Sequence, residues 1–122
     1  MIKKEGNILV AKSNAFSDRI IKLYQYLEHT SKEMILSKQI LRSGTSIGAN
    51  IAESQGAQST ADFIHKLEIA LKEAKETAYW LDKLLTGNYI TVAGHTSMYH
   101  DNLEIIKLLS AILIAKKKKA KQ

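Results

Sequence analysis

The stretch Arg42-Ser43-Gly44-Thr45-Ser46-Ile47-Gly48-Ala49-Asn50-Ile51-Ala52-Glu53 decides how this chain folds. Set about 100° apart around a helix axis, these residues and their upstream neighbours separate into three stripes instead of the usual two. Leu36, Ile40, Ile47 and Ile51 make an apolar stripe that needs a core to bury it. Arg42, Ser43, Ser46, Asn50 and Glu53 gather beside it as a polar stripe. Thr45, Gly48, Ala49 and Ala52 form a stripe of small residues, with Gly44 between it and the core line. A glycine inside a helix costs about 1 kcal/mol relative to alanine, and this helix carries both Gly44 and Gly48. Close packing of another backbone would offset that cost. The neighbour is either a helix of the same bundle or a second subunit, so Thr45, Gly48, Ala49 and Ala52 are candidates for an oligomer interface.

Working outward, three more segments show the 3–4 spacing of a helix face. Upstream, a segment from about Ile8 to His29 aligns Phe16, Ile20, Leu23, Tyr24 and Leu27. Thr30-Ser31 breaks it, and the second helix is expected from about Lys32 to Gly56, a C-terminal stop. Downstream, Ser59-Thr60-Ala61-Asp62 resembles a capping box with Asp in place of Glu. The helix it opens carries Phe63, Leu67, Ala70, Ala74, Ala78, Leu81 and Leu85 until Gly87-Asn88 ends it. The fourth helix starts between Thr91 and Thr96 and takes Leu103, Ile106, Leu109 and Leu113 into a run of lysines. Connections this short place successive helices antiparallel. The expected architecture is all-α: an antiparallel up-down-up-down four-helix bundle over residues 1–115, oligomerising, with a lysine-rich tail at 116–122. Helices of ~25 residues make such a bundle about 37 Å long.

Composition agrees. The 122 residues suit one domain, with 45% hydrophobic and 25% charged residues and no proline to interrupt helices. The chain has no cysteine, which removes disulfides, thiolate metal sites and cysteine nucleophiles. No apolar run approaches the ~18 residues of a membrane span, and the two lysines of Met1–Gly6 are followed by no signal-peptide core. A cytoplasmic protein without membrane contact is expected. The net charge of +6 is local: Lys116, Lys117, Lys118, Lys119 and Lys121 supply five of it, leaving the rest of the chain at +1. Such a tail either attracts a polyanion such as RNA without sequence preference or simply solvates a helix C-terminus.

The third helix has an apolar surplus. Phe63, Leu67, Ala74 and Leu81 account for its core stripe, yet Ile69 and Trp80 align on another face. An Ile/Trp pair on one line suggests a contact surface, and two helices with surplus faces suggest self-association.

The second and third helices also resemble a known family. Arg42 to Glu53 is similar to the signature of the bacterial four-helix-bundle proteins named after the intervening sequences of 23S rRNA that encode them. Asp62-Phe63-Ile64-His65-Lys66-Leu67, Leu71-Lys72-Glu73-Ala74 and Glu76-Thr77-Ala78-Tyr79-Trp80-Leu81 resemble the next block of one branch. Ser54 stands where many members have glycine, Gln58 near where they have a basic residue, and Lys72-Glu73 where they have Gly-Ser. The resemblance implies a homopentamer of bundles and a distant kinship with the accessory protein of diversity-generating retroelements.

No arrangement argues for an enzyme. A di-iron bundle needs Glu-x-x-His on two helices, and the chain offers only Asp62-x-x-His65, so no metal or cofactor is expected. Gly44 to Gly48 lacks the spacing and lysine of a phosphate-binding loop. His95 and His100, five residues apart, should be solvated. Arg42, Ser46, Asn50 and Glu53 sit at i+4 and i+3 spacings, which reads either as a ligand or RNA site or, preferred here, as a buried hydrogen-bonded network that sets helix register and subunit orientation. The expected function is a non-catalytic homo-oligomeric scaffold, a pentamer by the resemblance, that associates with RNA through its tail; the alternative, also by resemblance, is an accessory module that holds a partner enzyme.

Overall fold

The computed structural model describes residues 4–121; the outer ends of the chain, residues 1–3 and 122, lie outside the described residues. Four helices carry the fold, with no strand among the described residues: α1 (Lys4–Tyr26), α2 (Leu36–Ser54), α3 (Thr60–Thr86) and α4 (Val92–Ala120). None is long and apolar enough to cross a membrane.

The first break differs from its expected position for a local reason. After α1 the chain widens into one π-helical turn, Leu27–Ser31, and Lys32 then takes a left-handed conformation (φ 55°). The new helix needs its first amides capped, and Glu33 does this. Its carboxylate accepts from the Ser37 amide at 2.8 Å and from the Ile35 amide at 3.2 Å. Helix α2 therefore starts at Leu36, not Lys32, and ends at Ser54, two residues before Gly56. The α3 start is as its capping sequence requires, with Ser59 Oγ accepting from the Asp62 amide at 3.0 Å. At its other end Asn88 adopts φ 61°, the Tyr89 amide donates to Leu84 O and the Asn88 amide to Leu85 O, which closes a Schellman cap. Thr91 caps α4 by accepting from the Gly94 amide, so Gly94 lies within the first turn.

Helix α1 packs on α2, α2 on α3, α3 on α4, and α4 back on α1. Side-chain links give the directions. Arg42 meets Glu73 and Glu76 while Glu53 meets Lys66, so numbers rise along α2 as they fall along α3. Arg19 reaches Asp101 and Lys12 reaches Glu104, which gives the same opposition between α1 and α4. The core holds Phe16 and Ile20 of α1, Ile40, Ile47 and Ile51 of α2, Phe63, Leu67, Leu81 and Leu84 of α3, and Ile105 and Leu109 of α4. The expected α4 stripe holds at Leu109 and Leu113 and shifts elsewhere. Met98, Asn102, Ile105, Leu109, Ile112 and Leu113 face inward, whereas Leu103 is exposed and Ile106 only half-buried. Several apolar lines share this helix, and the one that meets α1 and α3 is buried.

Candidate functional site

The seam between α2 and α3 concentrates the chain's polar contacts. Arg42 Nη1 donates to Glu73 Oε1 at 2.8 Å, and Arg42 Nη2 donates to Glu76 Oε2. Glu76 Oε2 also accepts from the Trp80 indole N–H at 2.9 Å. Glu73 is a carboxylate on a buried line, flanked by Ala70, Ala74 and Thr77, and its side chain keeps 11% of its exposure against 53% for Arg42. Burial makes that carboxylate need its cation. One helical turn away, Thr77 Oγ1 donates to Ser43 Oγ at 2.9 Å, both fully buried, and also lies 2.8 Å from Glu73 O. Toward the other end of the seam, Lys66 Nζ donates to Glu53 Oε1 at 2.8 Å. That hydrogen bond, then the carboxylate's charge, raises the Lys66 ammonium above the usual lysine value.

The five residues of the polar stripe therefore do not form one network along α2. Only Asn50 and Ser46 bond along the helix, Asn50 Nδ2 donating to Ser46 O at 2.9 Å and to Ser46 Oγ at 3.1 Å. Arg42, Ser43 and Glu53 each pair across the seam with α3. Opposite charges and hydroxyls on the facing helix lie closer to these side chains than their neighbours three and four residues along, and the long Arg and Lys stems make the reach.

The small stripe divides as well. A Cβ built at Gly44 would lie 2.7 Å from two side-chain carbons of Ile20, and one at Gly48 would lie 2.6 Å from Ser17 Oγ and 3.4 Å from Ser13 O. Both glycines thus admit α1 of the same chain, which accounts for Gly48 without a second subunit. Thr45 turns its hydroxyl back to Leu41 O at 2.6 Å. Ala49 and Ala52 remain exposed, beside a groove that Val10, Ser13 and Asn14 of α1 also line. On α3, Ile69 and Trp80 are half-buried, and Trp80 meets the exposed Tyr79 edge-on with ring centroids 5.0 Å apart. Lys83 Nζ sits 5.1 Å from the centre of the Tyr79 ring.

The lysines at the chain's end belong to α4, which stays helical through Ala120. They point around its whole circumference. Lys116 Nζ stands 5.4 Å from the centre of the Phe63 ring, and Lys117 pairs with Glu68. Lys118, Lys119 and Lys121 are exposed and form no ion pair among the described residues.

Of the histidines, His95 departs from its expected solvation. Its side chain is 16% exposed, with Nε2 2.8 Å from Asp82 Oδ1 and its ring stacked on Tyr99 at 5.1 Å. His100, Asp101 and Glu104 bring three ligand-type atoms within 4.8 Å of one another on the α4 surface. Arg19 already holds Asp101 at 2.6 Å and Lys12 approaches Glu104 at 3.5 Å, so the carboxylates are matched to protein cations. His65 is exposed, and the Asp62 carboxylate accepts from the Gln58 amide at 3.4 Å.

Three seam residues escaped the sequence reading as partners: Glu73, Glu76 and Thr77. Glu73 carried a usable signal, because a charged residue at the spacing of Ala70, Ala74 and Thr77 lies on the buried line and must find a counter-charge. Asn102 carried the same kind of signal on α4. It is 1% exposed, and its Nδ2 donates to Ala74 O at 2.8 Å, which ties α4 to α3.

Comparison with known proteins supplies what the geometry lacks. The family model described as 23S rRNA-intervening sequence protein matches residues 5–111. Among solved structures, a protein of unknown function from the S23 ribosomal protein family of Bacteroides thetaiotaomicron is similar, at 54% identity and a TM-score of 0.89. The match covers 89% of this chain and 97% of that one. No curated protein matches the chain.

Proposed function

This chain belongs to the 23S rRNA-intervening sequence protein family, and from that premise we propose that it is a non-catalytic, homo-oligomeric scaffold that associates with RNA. Each subunit is an up-down-up-down four-helix bundle, and five subunits is the number that the family resemblance implies. The observation that carries the reading is the outward face of α2. A helix face turned to solvent is ordinarily charged or long-chained, yet here Ala49 and Ala52 are exposed beside the half-buried Thr45. Gly48 is spoken for by α1, but these three are not, and the Ile69, Tyr79 and Trp80 side of α3 adds apolar surface. Small side chains let a second subunit's helix approach closely, and aromatic residues are enriched where such interfaces form.

Light scattering on the purified protein should give a mass several times 13.6 kDa, and Ala49→Arg should lower it while leaving the helical circular-dichroism signal unchanged. A wild-type monomer at micromolar concentration would sink the reading.

The RNA part rests on the end of α4. Each lysine that neutralises a phosphate releases counterions, so binding weakens with salt and ignores base sequence. Repetition of the helix end on every subunit raises avidity without new contacts. Lys116 and Lys117 contribute to packing through Phe63 and Glu68, so the informative variant changes Lys118, Lys119 and Lys121 to Gln. Its log-affinity for poly(U) plotted against log-salt should be shallower than wild type by about 2 for each subunit in contact with the strand, the share of three phosphate contacts. An unchanged slope would make these lysines a solvated helix end.

A further inference from the structure

One face of the bundle is left unexplained by self-association or by the end of α4. Helix α4 leaves Leu103 and Ile114 exposed with the half-buried Ser110 between them, at i, i+7 and i+11 on one line of the helix. Ile114 is 69% exposed and Leu103 38%. Between this line and α3 runs a groove of about 560 Å³. Leu71, Leu113 and Ile114 form its apolar side, and Lys72, Lys75 and Lys117 rim it, with Glu68 as the one acid, already paired with Lys117. Lys107, exposed on the same helix, extends the basic rim.

We propose that this α3–α4 groove docks an acidic amphipathic helix from a partner protein, leucine-like side chains in the groove and carboxylates on the lysine rim. The inference rests on the lining of this groove alone and does not depend on RNA binding.

The chemistry of the lining selects among occupants. Phosphate contacts need cations but no apolar floor, and unpaired bases are gripped by stacking on aromatic rings. No aromatic side chain lines this groove. An amphipathic helix uses both halves of the lining: apolar residues at i, i+3/i+4 and i+7 for the floor, and acids flanking them for the rim. A second copy of this chain is a poor occupant, since the acids of its α2, α3 and α4 are engaged within the subunit, leaving on α1 the exposed Asp18, a single acid that forms no ion pair among the described residues. Asp101 and Glu104 face Arg19 and Lys12, Glu73 and Glu76 face Arg42, and Glu53 faces Lys66. From Leu103 to Lys117 the helix rises about 21 Å, the length of a partner helix of about 14 residues.

The test uses the full-length protein and a synthetic 14-residue peptide with leucine at the i, i+4, i+7 and i+11 positions and glutamate or alanine elsewhere. Its control is a scrambled peptide of the same composition. Fluorescence anisotropy near physiological salt should show the patterned peptide binding at least about tenfold more tightly than the scrambled one, a difference of about 1.4 kcal/mol. Ile114→Glu and the pair Lys72→Glu, Lys75→Glu should each remove that preference, while the Gln variants of Lys118, Lys119 and Lys121 keep it. Ile114→Ser serves if the glutamate variant loses its helical signal. Equal binding of both peptides, or none, overturns the proposal. It also fails if Ile114→Glu weakens poly(U) or phosphatidylserine-vesicle binding and leaves the peptide untouched, or if that variant lowers the oligomer's mass.

Discussion

Gly44→Leu is expected to lower the unfolding free energy by about 3 kcal/mol, while Gly48→Ala, one turn along the same helix, stays within about 1 kcal/mol of wild type. Both glycines meet α1, so stripe membership alone does not separate them. The difference lies in what each faces. A Cβ at Gly44 would sit 2.7 Å from Ile20 Cδ1 and Cγ1 and 2.8 Å from Cγ2, the body of a branched side chain with no exposed surface. Ile20 cannot withdraw without leaving its rotamer or moving α1, and a leucine adds three more carbons to the overlap. At Gly48 the near atom is the Ser17 hydroxyl, which swings away by one χ1 rotation, and the next is Ser13 O at 3.4 Å. Alanine there recovers about 1 kcal/mol of helix propensity, which offsets the adjustment. Urea or thermal melts decide it, with a midpoint about 10 °C lower for Gly44→Leu at this chain length. Equal melting of the two variants would mean that α1 is not held against α2 as described.

How much of this was legible in the sequence depends on the range over which the determining interaction acts. The α3 start was readable because Ser59 caps it locally, its hydroxyl accepting from the Asp62 amide three residues on. Its end was readable because Asn88 tolerates the left-handed backbone that a Schellman cap needs. The start of α2 was misplaced because nothing in the residue type of Lys32 announces a left-handed conformation; Glu33, whose carboxylate caps the next helix, was the missed cue. The glycine stripe was correctly read as a place of close approach, but a single helix wheel has no means of naming the neighbour, and for Gly44 and Gly48 it is α1. The polar stripe failed for the same reason. Spacings of three and four residues describe only partners on the same helix, and Arg42, Ser43 and Glu53 found theirs across the seam.

That seam yields the second large effect. Arg42→Ala should cost about 2–3 kcal/mol, and Glu73→Leu should cost less than about 1 kcal/mol or stabilise. Removing the guanidinium leaves the Glu73 carboxylate, only 11% exposed, without its cation; the full penalty of a stranded buried charge is reduced because Arg42 itself is half in solvent. Removing the carboxylate strands nothing. Arg42 keeps Glu76 and water, and a leucine of similar size continues the line of Ala70 and Ala74. The double variant should therefore recover most of what Arg42→Ala loses, a coupling that urea melts of the four proteins measure directly. Tryptophan emission gives an independent readout. Arg42 holds Glu76, and Glu76 accepts from the Trp80 indole, so Arg42→Ala should shift the emission of the single Trp while Glu73→Leu does not. Equal losses from the two single variants would mean that the pair acts as a surface ion pair, and that the α2–α3 seam is held by Ser43, Thr77 and the apolar core alone.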